Sequence, residues 1–374
     1  MAIYYALGSA LVSNDELRAK AAQGVLKRFF SRELNQVAFL NGQVTQESIL
    51  RSYSLETKAE PIGFEPIGIG RPLSVQIRHV YTGDKAHNFW GDKDMLVASA
   101  MKSVAAYEGA PRAINFMEKK SQNNRNYRAI AATEKGTPLI CYTDALAQSS
   151  SVITVEVMFD NFPQEAFAAV SQAFGSAAGI PVFAPASGYL AIAGLVTKLI
   201  GNVGKALSNG TPALKQTEEI TFVTPGSTTA EAGFCLLIAD NVEQQVLKEY
   251  EVNTEGMLVR VDDKKTIYDG PEPYVVISLD GRANDDFKGF MPTAATAAIL
   301  DKFYNVNDGG SMPLDQLVEG LKLYNDIKFR EKANTVAKKL KEMKDTNSEE
   351  YKGLLVIFNA YVANVNNAIL KPSL

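Results

Sequence analysis

From residue 72 to residue 160 the chain divides into short apolar runs of β character, one about every ten residues. In the first, Ser74, Gln76 and Arg78 alternate with Val75, Ile77 and His79. Successive side chains of an extended chain point to opposite faces, so such alternation marks a strand with one face on a core. Runs at 95–101, 113–117, 127–132, 139–142 and 152–159 follow. The connections between them are too short for the helical crossover, a dozen residues or more, that a parallel pair requires. The spacing therefore predicts antiparallel pairing in a β-sandwich rather than a βαβ sheet. Further strands are predicted at 219–223, 233–238, 257–261 and 274–279.

Helical patterns flank and interrupt this region, so the expected fold class is α+β. The prediction is an antiparallel β-sandwich with an inserted helical hairpin and flanking N- and C-terminal helices. Residues 1–55 form an N-terminal helical segment, with a helix at 14–35 for which Asn14 is the expected cap. Residues 56–71 repeat Pro61-Ile62-Gly63 as Pro66-Ile67-Gly68, a spacing that forbids a regular helix and predicts an extended connector. The sandwich spans 72–292, with the hairpin at 162–208. A C-terminal helical segment, 293–374, carries helices at 293–304, 314–343 and 349–370.

Composition narrows the function classes. Lys plus Arg is 38 and Asp plus Glu is 42, for a net charge of −4. No overall basic footprint for nucleic acid exists, so no nucleic-acid partner is expected. One local excess runs from Asp326 to Lys344, with seven basic residues against three acids, and reads first as a solvated helix face. The opening residues 1–13 are uncharged, with no basic stretch before the apolar part. That is a poor secretory signal and points to cytoplasmic synthesis. Cys141 and Cys235 each sit in an apolar strand-like run, as buried free thiols do, and fit a reducing compartment.

Catalytic equipment is sparse. The two histidines are His79, in a strand and read as structural, and His87, in the loop from Gly83 to Asp92. A hydrolase centred on His87 and nearby acids ranks third among the readings, because no Gly-x-Ser-x-Gly elbow supports it. No Cys-x-x-Cys, His-Glu-x-x-His or Walker loop is present, and Gly68-Ile69-Gly70 lacks the later glycine of a dinucleotide fingerprint. No catalytic residue is assigned.

The acids are the richer signal. Asp84, Asp92 and Asp94 lie between the first two strands, and Asp285 and Asp286 follow the strand at 274–279. Calcium takes several oxygen ligands at short range, so acids gathered at one end of a sandwich would supply a site. Acids also favour turns for backbone reasons alone. The middle region, with its short strands, acidic end loops and inserted apolar element, resembles C2-like sandwiches in layout. Residues 305–316 resemble an EF-hand loop: Asn305 and Asn307 match the first and third ligand positions, Gly310 the sharp turn and Met312 the apolar residue after it. Gly309, Pro313 and Gln316 depart from that pattern, Gln316 standing where the bidentate glutamate belongs.

No residue from Ala166 to Thr197 is charged, and Gly179, Pro181 and Pro185 divide the stretch. Neither half makes a span of about 20 residues. The segment admits three readings: a hairpin buried on the sheet, a surface for self-association, or a membrane-inserting element. The function expected from the sequence is a non-enzymatic interaction or self-assembling structural protein, a homo-oligomer or polymer with contacts through its termini and the 162–208 hairpin. The alternative is a membrane-active, pore-forming or lipid-binding protein using that hairpin.

Overall fold

Pairing between strands far apart in sequence builds the body of the protein, and every strand pair is antiparallel among the described residues. The computed structural model describes residues 2–7, 10–13, 16, 63–88, 91–102, 112–128, 136–148, 150–162, 164, 167–168, 212–222, 232–239, 241–287 and 314–374. The helix expected at 293–304, nearly all of the one at 14–35, most of the 162–208 hairpin and the EF-hand-like loop through residue 313 lie outside these residues.

The strands are β1 (Ala2–Leu7), β2 (Ala10–Ser13), β3 (Leu73–Tyr81), β4 (His87–Asn88), β5 (Gly91–Lys102), β6 (Arg112–Ser121) and β7 (Asn126–Arg128). They continue as β8 (Leu139–Thr143), β9 (Ser150–Asp160), β10 (Leu214–Thr221), β11 (Gly233–Ile238), β12 (Tyr250–Val252), β13 (Leu258–Arg260) and β14 (Tyr274–Asp280). A seven-stranded sheet runs β2-β1-β11-β14-β3, with β8 and β7 following one another along the outer edge of β3. A five-stranded sheet runs β10-β9-β5, with β4 and β6 both on the far edge of β5. The third sheet is the hairpin β12–β13.

One apolar core takes Val75, Ile77, Leu237 and Ile277 from the larger sheet and Met95, Val97, Val155 and Val157 from the five-stranded one. The opposite face of the larger sheet is covered too. Phe234, Leu236 and Ile238 pack there with Tyr250, Val252 and Leu258 of the β12–β13 hairpin, and with Leu247 of the short helix α1 (Gln244–Leu247). Both faces being dry explains why β11 is apolar at every position from Phe234 to Ile238 instead of alternating.

Ala2–Leu7 and Ala10–Ser13, grouped by sequence with the N-terminal helical segment, are two strands of this sheet. Ile3 and Tyr5 face the shared core while Tyr4 and Ala6 face the other cluster. Ile3–Ala6 of the uncharged opening stretch are thus strand buried on both sides. Of the helix expected at 14–35 only Glu16 is described, and its expected cap Asn14 lies outside the described residues. The Ser13 hydroxyl accepts from the Glu16 amide at 3.2 Å, and a Glu16 carboxylate oxygen accepts from the Ser13 amide at 3.2 Å. The reciprocal pair has the pattern of a capping box, with Ser13 and Glu16 three positions apart.

A bulge in β3 corrects the simple alternation. His79 pairs with Val276 and Ile77 with Ile277, which leaves Arg78 as the extra residue. Parity then shifts, so Val80 rather than His79 continues the core face of Val75 and Ile77. His79 turns to the other side and stacks on Tyr274, with ring centroids 5.8 Å apart. The described part of the 56–71 connector is extended, as its prolines require, and is fastened to the body. Glu65 donates its amide to Asp280 at 3.0 Å, and Gly70 donates to Leu146 O at 2.8 Å.

The C-terminal segment is a helical hairpin, α2 (Leu314–Glu342) and α3 (Glu349–Ala363). Ala333, Ala337 and Leu340 of α2 close on Phe358 of α3. Ser348 caps α3 by accepting from the Tyr351 amide at 3.2 Å. The helix expected to reach residue 370 stops at Ala363. Asn364 turns its side-chain amide back to Ala360 O at 2.8 Å and across to Ala145 O at 2.6 Å, and a short 3-10 turn, Ala368–Leu370, follows.

Candidate functional site

Two poles of the larger sheet hold the side chains singled out by sequence. The register pairs Tyr81 with Tyr274 at one end and Ser74 with Asp280 at the other. Asp84 follows the first end and Asp285 the second. A strand of seven residues separates the two ends, about 20 Å at roughly 3.3 Å per residue. Antiparallel pairing carries the chain of β14 away from the β3–β5 turns before Asp285 is reached, so Asp84 and Asp285, expected together, follow opposite ends of the pair.

At the first pole the turns interlock. Asn124 donates to Gly83 O at 2.7 Å, Lys93 to Ala86 O at 2.8 Å and Asp84 to Pro271 O at 3.0 Å. Gly83 has φ +58, and a Cβ there would lie 2.3 Å from Pro271 O, so only glycine allows this approach. Asp84 is exposed and pairs with Lys85 at 2.9 Å, and Lys85 also reaches Glu272 at 3.6 Å. The Lys85 ammonium is held up in pKa, chiefly by its bond to Asp84. Asp92 is exposed on β5. Asp94 is committed to the fold: its two oxygens accept from the Lys120 amide at 3.0 Å and the Phe162 amide at 3.2 Å. At the second pole Asp285 is exposed in a short 3-10 turn, whereas the side chain of Asp286 is outside the described residues. Among the described residues no three His, Cys, Asp or Glu side chains gather as a metal ion would need.

His79 is buried, and its Nε2 lies 2.7 Å from Asn126 Oδ1. Its Nδ1 is buried without a partner. Desolvation lowers the pKa of this imidazole, the Asn126 bond opposing it. His87 lies in β4 opposite Asp92, and its side chain is outside the described residues. Burial pushes both Cys141 and Cys235 up to about 12, so both stay thiols at neutral pH and neither is a ready nucleophile. The four tyrosines Tyr81, Tyr250, Tyr268 and Tyr274 form a ring cluster beneath the β12–β13 hairpin. Desolvation raises each of their pKa values, Tyr268 to about 12. These rings are a packing device whose hydroxyls serve backbone and turn groups: Tyr274 accepts from the Leu258 amide at 3.1 Å, and Tyr81 donates to Asn124 Oδ1 at 2.7 Å.

Of the 162–208 hairpin only the first residues are described. Phe162 is buried, and the Lys119 ammonium lies 4.8 Å from the centre of the Phe167 ring and bonds to Gln164. Among the described residues no helix is long and apolar enough to cross a membrane.

The sequence reading expected contacts through the termini without singling out the exposed apolar residues of the C-terminal hairpin. Leu323 and Ile327, one turn apart on α2, are 45% and 38% exposed. Ile369 is 89% exposed and Leu374 48%. Asp326, buried beside Ile327, accepts from the amides of Asn366 at 2.9 Å and Asn367 at 2.8 Å. That bond pair holds the Ala368–Leu370 turn against the same stretch of α2. The i, i+4 spacing of Leu323 and Ile327 was visible beforehand, but nothing local told an exposed apolar pair from a buried one. Compared with known protein families and with curated proteins, the sequence matches none.

Proposed function

We infer that the chain is a non-enzymatic interaction or self-assembling structural protein. In this reading the two larger sheets are the layers of a rigid β-sandwich, and the chain's terminal segments make the contacts. The shared core of the two sheets supports the first part. The observation that carries the second is the distribution of exposed apolar side chains. Of the six large ones among the described residues, Leu323, Ile327, Ile369 and Leu374 fall in the C-terminal hairpin and tail, against two in the body. Leu323 and Ile327 adjoin on one face of α2, and adjoining exposed apolar side chains are a mark of interaction surfaces.

Asp94, Asp280 and Asp326 each accept from two backbone amides, which ties distant segments together and supports the rigid body of this reading. Sedimentation and light scattering across a concentration series test the proposal. The expected result is a mass that rises above the 40.6 kDa of one chain. A mass of one chain at every concentration would overturn it.

A further inference from the structure

The guanidinium of Arg78 stands half-buried on the larger sheet with no carboxylate in contact. Arg78 is the extra residue of the β3 bulge, between the pairs His79–Val276 and Ile77–Ile277. The bulge sets two consecutive side chains on one face: His79 stacks on Tyr274, and Arg78 Nε donates to Ser278 Oγ at 2.7 Å. Tyr274 and Ser278 alternate with Val275, Ile277 and Leu279, which enter the shared core, so this is the outer face. Among the described residues the Arg78 side chain makes no other hydrogen bond and no ion pair. Beside it, the Nδ1 of buried His79 also has no partner.

Two segments flank this part of the face. Gly256, with φ +81, brings the β12–β13 turn so close that an added Cβ would lie 3.0 Å from Arg78 Cβ. The acid of that turn, Glu255, is taken by Arg128 at 2.7 Å. On the other side the connector crosses the end of β14. Phe64 packs on Phe234, and the amides of Glu65 and Arg282 both donate to Asp280 Oδ1 at 3.0 Å. Between the two, Ser74, Gln76 and Ser278 stand where the other half of the face carries its tyrosine rings. A guanidinium drawn partly out of water is costly unless an anion meets it. Desolvation is the largest influence on Arg78; Asp280 offsets it in part, and Arg282 acts against Asp280. The charges of the chain therefore leave this cation incompletely matched.

We propose that this stretch of the outer face binds a small oxyanion, a carboxylate or a phosphate group, on the free Nη atoms of Arg78, with Arg282 as the second cation. The two Nη atoms offer coplanar donors spaced for two oxygens of one anion. Arg282 is exposed and spends Nη2 on Gly63 O at 2.9 Å, which ties its side chain to the connector. Its charge draws the anion in. The site goes beyond the self-assembly reading and does not depend on it, since none of the exposed apolar residues of the C-terminal hairpin takes part.

The test uses the full chain with sodium phosphate, sodium acetate and sodium chloride, each up to about 50 mM at constant ionic strength. Thermal melting reads stabilisation, because an anion that binds the native state raises the melting temperature by mass action. Isothermal titration calorimetry reads affinity. Expected is a rise in melting temperature with phosphate or acetate that chloride does not give. Phosphate alone would assign a phosphate group, acetate alone a carboxylate, and both a site for either. Arg78→Gln should weaken binding about tenfold or more, and Arg282→Gln by a smaller factor. No rise beyond that in chloride would overturn the proposal, and so would a rise that Arg78→Gln leaves intact. If Arg78→Gln loses its fold by circular dichroism, Arg78→Lys decides, since it keeps the charge and loses the planar pair of donors. Undiminished affinity in both Arg78→Lys and Arg282→Gln would then overturn the site.

Discussion

Thr143 and Asn364 stand 221 positions apart in the chain, and the Thr143 hydroxyl donates to Asn364 Oδ1 at 2.8 Å. Asn364 spends its amide protons on Ala145 O and Ala360 O, so one side chain ends α3 and docks it on β8. Asn364→Ala should cost about 1–3 kcal/mol, because it removes three hydrogen bonds at buried Thr143 and Ala145 and at Ala360, leaving only the 3.2 Å bond from the Thr143 hydroxyl to Ala145 O. Amide hydrogen exchange should quicken in α3 before it quickens in the sheets. Unchanged exchange in α3 would show that the helical hairpin is held by other contacts.

Glycines with positive φ should differ in cost according to their surroundings. At Gly136, φ is +150 and an added Cβ would lie 1.8 Å from Asn115 O. Gly136→Ala should therefore destabilise by about 3 kcal/mol or more, since backbone must move. At Gly91, φ is +117 with nothing within 4 Å of the added atom, so Gly91→Ala carries only the conformational cost, about 1 kcal/mol. Urea melts of the two variants give the comparison. Equal losses would refute the steric account.

His79 should make stability depend on pH. Its pKa in the folded chain is lowered from 6.5 by desolvation. Below about 6.5 the unfolded chain takes up a proton that the folded chain refuses, so stability falls as pH drops. The slope approaches about 1.4 kcal/mol per pH unit until the folded-state pKa is reached, and this contribution vanishes above neutrality. His79→Gln retains a donor for Asn126 and cannot titrate. Melting temperatures between pH 7.5 and 5 should decline less in that variant, and parallel profiles would rule out His79 as the source.

The thiols should be silent in the native state. Cys141 and Cys235 are buried and pushed up to about 12, so a disulfide reagent at pH 8 meets almost no thiolate and no access. Both should titrate fully in guanidinium chloride. Prompt reaction of either thiol without denaturant would mean that β8 or β11 opens readily.

Strand existence was legible because alternation is a local property. The runs around Val75, Val97, Val155 and Ile277 become β3, β5, β9 and β14, within a few residues of their predicted limits. Helix α2 follows its predicted range closely, 314–342 against 314–343. Where a second layer covers the other face, alternation fades, and β1 went unrecognised because Tyr4 and Ala6 are as buried as Ile3 and Tyr5. The end of α3 was misread for a different reason. The apolar stripe continues to Val365 and Ile369, but Asn364 finds partners on β8 that no local pattern announces.

By itself the sequence determined where the chain is extended, where it is helical and that neighbouring strands run antiparallel, because side-chain period and connector length act over a few residues. Tertiary structure alone decided which residues meet. The pairing of β3 with β14 sends Asp84 and Asp285 to opposite poles. The bulge at Arg78 takes His79 off the core face and onto Tyr274. Docking at Asn364 sets the end of α3 against β8. Each outcome depends on hydrogen-bond register between segments tens to hundreds of residues apart, and register is set by the summed burial of whole sheet faces, a quantity no single segment contains.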